Sequence, residues 1–583
     1  MINVRINNVN VSVEEGTTIL DAAREAGFNI PTLCFLRNVN ESGACRVCLV
    51  EIKGGRNLVP ACNYKCYDGL QVYTHSERAI AGRKNSVELI LSNHSKNCLS
   101  CVRNQNCELQ TLAADLGIRD VKFEGDKTPV TFDNLSNGLV RDTSKCILCG
   151  RCIETCKKVQ GLGILGFENR GFMTKVGPVF DKSLSQVNCM QCGQCINACP
   201  TGALTEKEAI HDVLAALDDP EKHVIVQTAP AIRAALGEEF GMPMGSRVTG
   251  KMTTALKRMG FDKVYDTNFG ADLTIMEEGY EFIDRFQKGG TLPMITSCSP
   301  GWVRYLEFQY PELIPHLSSC KSPHMMLGAI AKSYYAKNKY IDPKNIYVVS
   351  IMPCIAKKSE IVKPENNTGE YPDVDAVLTT RELARMIKTF GIDFAHLPDS
   401  EFDQDLMGEY TGAGAIFGNT GGVMEAAIRT VKEVLEGKSF QNVEYHEVRG
   451  LQGVKEASLA IAGTIVNVAV ASGMANAKPL LDEIKEGKSK YHFIEIMGCP
   501  GGCINGGGQP IVKSYFKNFN GNEYIRLRAR ALYSEDTSRK IRKSHENPQI
   551  QALYKNFLEK PGSHLAHELL HTTYSAKDRF EIE

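Results

Sequence analysis

Residues 493–510 read Phe-Ile-Glu-Ile-Met-Gly-Cys-Pro-Gly-Gly-Cys-Ile-Asn-Gly-Gly-Gly-Gln-Pro. A short apolar run stopped by glycine is the pattern of a buried strand, and Phe493–Met497 fits it. The loop that follows holds two cysteines among glycines, which lack a Cβ and let the backbone approach a bulky group closely. Two other runs end in the same way, Leu292–Thr296 before Cys298 and Ile346–Met352 before Cys354. In open α/β sheets, ligands sit outside the carboxyl ends of strands, so three such loops are expected to converge on one buried site. Helical periodicity over Glu206–Leu217 and an apolar strand at His223–Thr228 begin an alternation of strand and helix that fills most of residues 209–583. Residues 540–583, with Lys543–Pro548 and His564–His571, read as a helical tail without assigned chemistry.

Upstream the texture differs. The chain has 583 residues and a mass of 64.3 kDa, which implies several domains. Its 67 basic and 68 acidic residues leave a net charge of −1, far from the basic balance of a nucleic-acid binder. No run of 18 apolar residues occurs, and Met1 leads directly into an alternating pattern, so a soluble, cytoplasmic protein without membrane insertion is expected. Cysteine is the outlier, with 21 residues against one Trp. An odd count in a chain read as non-exported points to metal ligation or thiol chemistry and away from a disulfide framework.

Sixteen of the 21 cysteines precede residue 200, in bunches. Cys34, Cys45, Cys48 and Cys62 vary the plant-type 2Fe–2S spacing within a β-rich frame over residues 1–78, with Cys66 left over. His94, Cys98, Cys101 and Cys107 fall in a mostly helical stretch, 79–125. One imidazole and three thiolates hold either zinc or a 4Fe–4S cluster, and spacing alone does not decide. A linker at 126–138 leads to an internal repeat. Cys146, Cys149, Cys152 and Cys156 recur 43 residues later as Cys189, Cys192, Cys195 and Cys199. In two-cluster ferredoxin units the fourth cysteine ligates the other cluster. That rule groups Cys146, Cys149 and Cys152 with Cys199, and Cys189, Cys192 and Cys195 with Cys156. Several one-electron carriers in a row make a wire. The glycines at Gly412–Gly414 and Gly418–Gly422 lack the context of a dinucleotide site.

Taken with these modules, the motifs Thr296-Ser-Cys-Ser-Pro-Gly-Trp302, Met352-Pro-Cys-Ile-Ala-Lys-Lys-Ser-Glu360 and Glu495–Pro510 resemble the iron-only (FeFe) hydrogenases of long, monomer-type architecture, over nearly the whole chain. The resemblance implies a multidomain α+β and α/β fold. A β-grasp ferredoxin, a small helical cluster domain and a two-4Fe–4S ferredoxin-like domain at 126–208 precede a large α/β domain with two sheets. It implies one 2Fe–2S cluster, three 4Fe–4S clusters and a buried H-cluster, a 4Fe–4S cube joined to a di-iron unit bearing CO, cyanide and an azadithiolate. Cys354, Cys499 and Cys503 match cube ligands, with Cys503 as the bridge. Lys357 matches a donor to cyanide, and Met352, Pro353 and Met497 match the pocket wall. A proton path maps onto Cys298, Glu278, Ser318, Glu281 and Arg285. Glu278 and Glu281 are three apart in a helical stretch and so share a face. Cys320 has no assigned role.

One position departs from the family's commonest form, which has two adjacent cysteines, a proton donor and then the fourth cube ligand. Here Cys298 is followed by Ser299. Either Ser299 takes the ligand position while Cys298 keeps the relay, or the loop shifts so that Cys298 ligates; a one-residue shift turns a strand side chain to the opposite face. The implied reaction, 2H⁺ + 2e⁻ ⇌ H₂, lies near about −410 mV at pH 7, close to the roughly −400 mV of plant-type ferredoxin clusters. Ferredoxin is the expected electron partner, and maturation proteins supply the di-iron unit. The alternatives are a catalytic subunit of an NAD(P)-linked, bifurcating assembly and a low-turnover hydrogen sensor.

Overall fold

The computed structural model describes residues 1–578. At the N-terminus five strands form one mixed sheet in the order Val9–Val13, Ile2–Ile6, Gln71–Tyr73, Leu49–Ile52, Val59–Pro60. Val4, Ile6 and Val13 alternate into a core closed by Ile19, Leu20, Ala22 and Ala23 of the helix Ile19–Glu25. Thr18 caps that helix by accepting from Asp21 N–H. The helix Glu77–Asn93 packs on this lobe, and the buried Arg83 donates to Leu49 O at 2.8 Å. A second helix, Glu108–Asp115, follows, whereas residues 119–131 form neither helix nor strand. The expected linker contributes an edge strand, Phe132–Asp133, to a three-stranded sheet with Leu139–Asp142 and Leu204–Glu206.

The internal repeat is visible in the backbone. Leu148 and Gly150 take φ of 53° and 76°, and their counterparts Gln191 and Gly193 take 55° and 73°. Each pair opens a short helix, Arg151–Glu154 or Gln194–Ala198, so the two halves present their cysteines in the same way.

The C-terminal two-thirds is built on two four-stranded sheets. One is parallel throughout, in the order Lys263–Asp266, His223–Thr228, Ile346–Met352, Ala376–Thr379. The other runs Met294–Ile295, Phe493–Met497, Thr464–Ser472, Val454–Ile461, with only the last pair antiparallel. Between them lies the helix Thr267–Lys288, buried on all sides over most of its length. Phe269, Leu273 and Met276 enter the core of the first sheet, and Ala271, Ile275 and Phe282 enter that of the second. The strand expected over Leu292–Thr296 narrows to Met294–Ile295, because Pro293 has no N–H to donate.

The tail is only partly helical. After the helix His564–Leu570 the chain runs extended and returns to the body of the domain. The glycines at 412–422 are packing residues: a Cβ on Gly421 would meet Val448 O at 1.9 Å and one on Gly422 would meet Ile416 O at 1.8 Å.

Candidate active site

The three cysteine loops leave their strands at the same end of the two sheets and close around one cavity of about 90 Å³. Cys354 comes from the first sheet; Cys298, Ser299, Cys499 and Cys503 come from the second. Met352, Pro353, Met497 and Lys357 line the same space. The glycine run is required by contact. A Cβ on Gly506 would meet Pro353 O at 2.2 Å, and one on Gly502 would meet Thr420 N at 2.7 Å. Three thiols on the wall of a glycine-lined cavity suit a thiolate-bound iron–sulfur group.

Cys298 and Ser299 face different neighbours. Burial, then Glu278 and Cys503, push the Cys298 thiol well above its usual range, which sets that thiol beside Glu278. The Ser299 hydroxyl accepts from Gly498 N–H at 3.2 Å and stands at the start of the helix Pro300–Gln309. The Cys298 thiol thus stands near both Glu278 and Cys503, and the Ser299 hydroxyl lies toward the Cys499 loop.

The two duplicated upstream sets also assemble. Cys146, Cys149, Cys152 and Cys199 line one cavity of about 30 Å³, and Cys156, Cys189, Cys192 and Cys195 line another of about 30 Å³. Cys34 hydrogen-bonds to Cys45 and Cys48 to Cys62, giving two thiol pairs. The His94 ring is buried with Nδ1 unpartnered. Four thiolates on one zinc ion lie about 3.8 Å apart. Among the described residues, the groups of three or more ligand atoms within 4.8 Å of one another include none of these sets.

Their arrangement is a fork instead of a single file. Asn40 donates to Cys34 O at 2.9 Å and to Cys149 O at 2.8 Å, joining the first set to the third. The second set leans on the third as well, through Arg103 to Cys199 O and Cys107 Sγ to Pro200 O at 3.7 Å. The fourth set adjoins the catalytic cavity, since Cys192 lines both spaces. Gln160 bridges Cys192 Sγ, at 3.5 Å, to Gly498 O, at 2.8 Å.

Comparison with known proteins is consistent along the chain. Residues 222–507 match the iron only hydrogenase large subunit, C-terminal domain, and 522–577 match the iron hydrogenase small subunit. Residues 1–77, 83–122 and 138–203 match a 2Fe–2S iron–sulfur cluster binding domain, the NADH-ubiquinone oxidoreductase-G iron–sulfur binding region and a 4Fe–4S dicluster domain. The NADP-reducing hydrogenase subunit HndD of Solidesulfovibrio fructosivorans is 48% identical over 99% of this chain and 100% of its own length. Iron hydrogenase 1 of Clostridium pasteurianum is 45% identical over 98% and 100%. The chain belongs to the iron-only hydrogenases. A solved FeFe-hydrogenase, a variant of HydA1 from Chlamydomonas reinhardtii, superposes with a TM-score of 0.55 at 41% identity, covering 63% of this chain and 98% of that one.

The hydrogenase interconverts protons and electrons with H₂ at a buried H-cluster, and its acidic helix reaches toward that site. Glu278 is buried with neither carboxyl oxygen in a direct hydrogen bond. Burial, then Glu281, push its carboxyl up to about 8. Ser318 Oγ donates to Glu281 Oε2 at 2.9 Å, and Arg285 donates to Glu281 Oε1 at 2.6 Å. All five residues of the expected path are thus brought together, from Cys298 inward to Arg285 outward.

Three groups of the hydrogenase went unread in the sequence. Lys357 Nζ is held by Glu360 at 2.7 Å and by Cys298 O at 3.2 Å, and His324 bonds the same Glu360 oxygen at 2.7 Å. Burial alone would raise the Glu360 carboxyl, but Lys357 and His324 outweigh it and hold it at about 2. Glu360 closes the quoted Met352 motif, a signal that was available. The tail is the third: Tyr574 donates to Ser318 O at 3.0 Å, and His571 contacts Ser319 and Glu277. These contacts pack the end of the tail against the Ser318–Cys320 segment, which no local pattern announces. Among the described residues no helix is long and apolar enough to cross a membrane.

Proposed function

We propose that electrons enter this hydrogenase from reduced ferredoxin through a 2Fe–2S cluster on Cys34, Cys45, Cys48 and Cys62 and a 4Fe–4S cluster on His94, Cys98, Cys101 and Cys107. Two thiol pairs suit two irons with two thiolates each. They pass to a cluster on Cys146, Cys149, Cys152 and Cys199, then to one on Cys156, Cys189, Cys192 and Cys195. Cys354, Cys499 and Cys503 would hold the H-cluster cube, with Ser299 as the further residue of the same cavity wall that would face it. This relay divides the chain at 1–78, 79–125, 126–208 and 209–583. The reading places the enzyme in the cytoplasm, with maturation proteins supplying the di-iron unit.

When bound, the H-cluster supplies the redox chemistry and an amine base for making or splitting H₂. The chain's own residues handle the proton. Arg285 holds Glu281 at the outer end; Glu281 exchanges with the Ser318 hydroxyl; Ser318 exchanges with Glu278, and Glu278 with Cys298 Sγ. A carboxyl near 8 gives and takes protons at neutral pH, as a relay requires. Lys357 Nζ, fixed by Glu360, is the polar donor on the cavity wall.

The observation that carries the relay is the wall shared through Cys192 between the fourth cysteine set and the catalytic cavity. The likeness to an NADP-reducing subunit favours a second reading, in which a nucleotide-binding partner chain feeds the same clusters. H₂ evolution by the matured chain separates the two. Turnover with reduced ferredoxin and none with NADPH supports ferredoxin; turnover with NADPH only when a flavoprotein co-purifies supports the second reading. Absence of the CO and cyanide infrared bands after maturation refutes the cube assignment.

A further inference from the structure

The tail brings a histidine against the outer carboxylate of the proton route and, with Cys320, completes a donor set around it. Lys321 N–H donates to Leu570 O and Thr572 N–H to Ser319 O, both at 2.8 Å, and Cys320 lies opposite His571 in this short antiparallel bridge. A Glu281 oxygen, Cys320 Sγ and a His571 ring nitrogen all lie within 4.8 Å of one another. Cys320 Sγ is 3.8 Å from Glu281 Oε2. One oxygen, one sulfur and one nitrogen donor, with a fourth position left for water, is a set that zinc accepts.

The surroundings are built for a ligating histidine. His571 Nε2 lies 3.1 Å from Glu277 Oε2, and Glu277 also accepts from the Tyr554 hydroxyl and from Gly562 N–H. With Glu277 as acceptor, Nε2 carries the ring proton and Nδ1 keeps its lone pair, now facing the Ser319 hydroxyl at 2.8 Å. A carboxylate behind the far nitrogen orients a metal-bound imidazole and raises its basicity. Arg285 occupies Glu281 Oε1, leaving Oε2 on the side of Cys320. The Glu281 and His571 side chains are 16% and 7% exposed, so an ion enters past them to the buried thiol.

We propose that Glu281, Cys320 and His571 bind one Zn²⁺ ion, and that the bound ion withdraws Glu281 from proton exchange and inhibits the hydrogenase. On binding, the Cys320 S–H bond breaks and its proton passes to solvent, a Zn–S bond forms, and hydration waters leave the ion. Glu281 Oε2 and His571 Nδ1 take two further positions, and the Ser318 and Ser319 hydroxyls lose their present acceptors. A thiolate and a carboxylate balance the ion's charge. The inhibition half rests on Glu281 lying on the proton route; the binding half does not.

Matured, anaerobic protein washed with chelator is given one equivalent of zinc chloride and desalted; zinc, iron and H₂ evolution are then measured. His571→Gln, Cys320→Ser and Glu277→Gln are treated alongside, with wild-type iron content as the criterion of an intact fold. Because the first two substitutions lie on different segments, either one suffices. Wild type retains about one zinc, with a single sulfur neighbour at about 2.3 Å by X-ray absorption. His571→Gln and Cys320→Ser retain none, and Glu277→Gln binds about 10- to 100-fold more weakly. Zinc lowers wild-type turnover by about 100-fold or more and leaves His571→Gln at its zinc-free rate. Equal zinc retention by wild type and both ligand variants overturns the site. Selective retention with undiminished turnover upholds the site and overturns the inhibition, and with it the place of Glu281 on the route.

Discussion

Replacing Glu278 with glutamine keeps the shape of the side chain and removes its ability to exchange a proton. The carboxyl is buried without a direct partner, and burial, followed by the neighbouring Glu281, lifts it from an ordinary 4.5 to about 8. At pH 7 it is then protonated in about nine molecules of ten. H₂ evolution draws on the protonated form and falls about tenfold per pH unit above that value, whereas H₂ oxidation draws on the carboxylate and falls below it. Glu278→Gln loses about 10²- to 10⁴-fold in both directions, the range for a positioned proton donor. Stability moves too. A group held above its unfolded value favours the fold fully below about pH 4.5, and that contribution is lost as pH rises through about 8, by about 5 kcal/mol in all. The variant therefore gains on wild type with rising pH, and its advantage in Tm widens from about pH 5 to 9 at one scan rate. Film electrochemistry reads both directions of turnover, with CO and cyanide infrared bands showing that the site is loaded. Activity within twofold of wild type and an unchanged pH profile would refute the route.

Arg151→Ala removes a buried guanidinium that pairs with Glu108 at 3.0 Å and donates to Phe35 O and Ser514 Oγ. Leaving the carboxylate unpaired costs about 3–5 kcal/mol, and hydrogen exchange should rise in residues 34–40 ahead of the catalytic domain. Ser299→Cys places a thiolate, a stronger iron ligand than a hydroxyl, beside Gly498 and shifts the reduction potential of the cube. An unchanged potential would show that position 299 does not face the cube.

Much of this architecture was legible because its causes are local. His223–Thr228, Ile346–Met352 and Phe493–Met497 are short apolar runs stopped by Ala-Pro, Pro-Cys and Gly-Cys, and each is a strand over the whole run. The crossing of Cys156 and Cys199 between the repeats followed from spacing and reappears in the cavity linings. What was hidden depends on distant segments meeting. Asn40 is an unremarkable loop residue until it spans two cysteine loops 115 positions apart, Cys34 and Cys149. His571 sits in a tail of ordinary composition, and its partners Ser319, Cys320 and Glu277 lie about 250 or more positions away in the chain. Glu360 and His324 are 36 residues apart, and both are needed before either explains how Lys357 is held.

At the seam between the fourth cysteine set and the catalytic cavity, main chain rests on main chain. A Cβ on Gly507 would meet Cys192 O at 2.3 Å and Gly193 Cα at 2.6 Å. At that contact there is no side chain to rotate, and beside it the Gln160 side chain ties Cys192 to Gly498. On the proposed relay the last hop crosses this close backbone contact, which leaves the two modules little room to swing against one another. Any mechanical throttle on electron supply has to act upstream, where the N-terminal lobe is fastened by side chains such as Arg151 and Asn40.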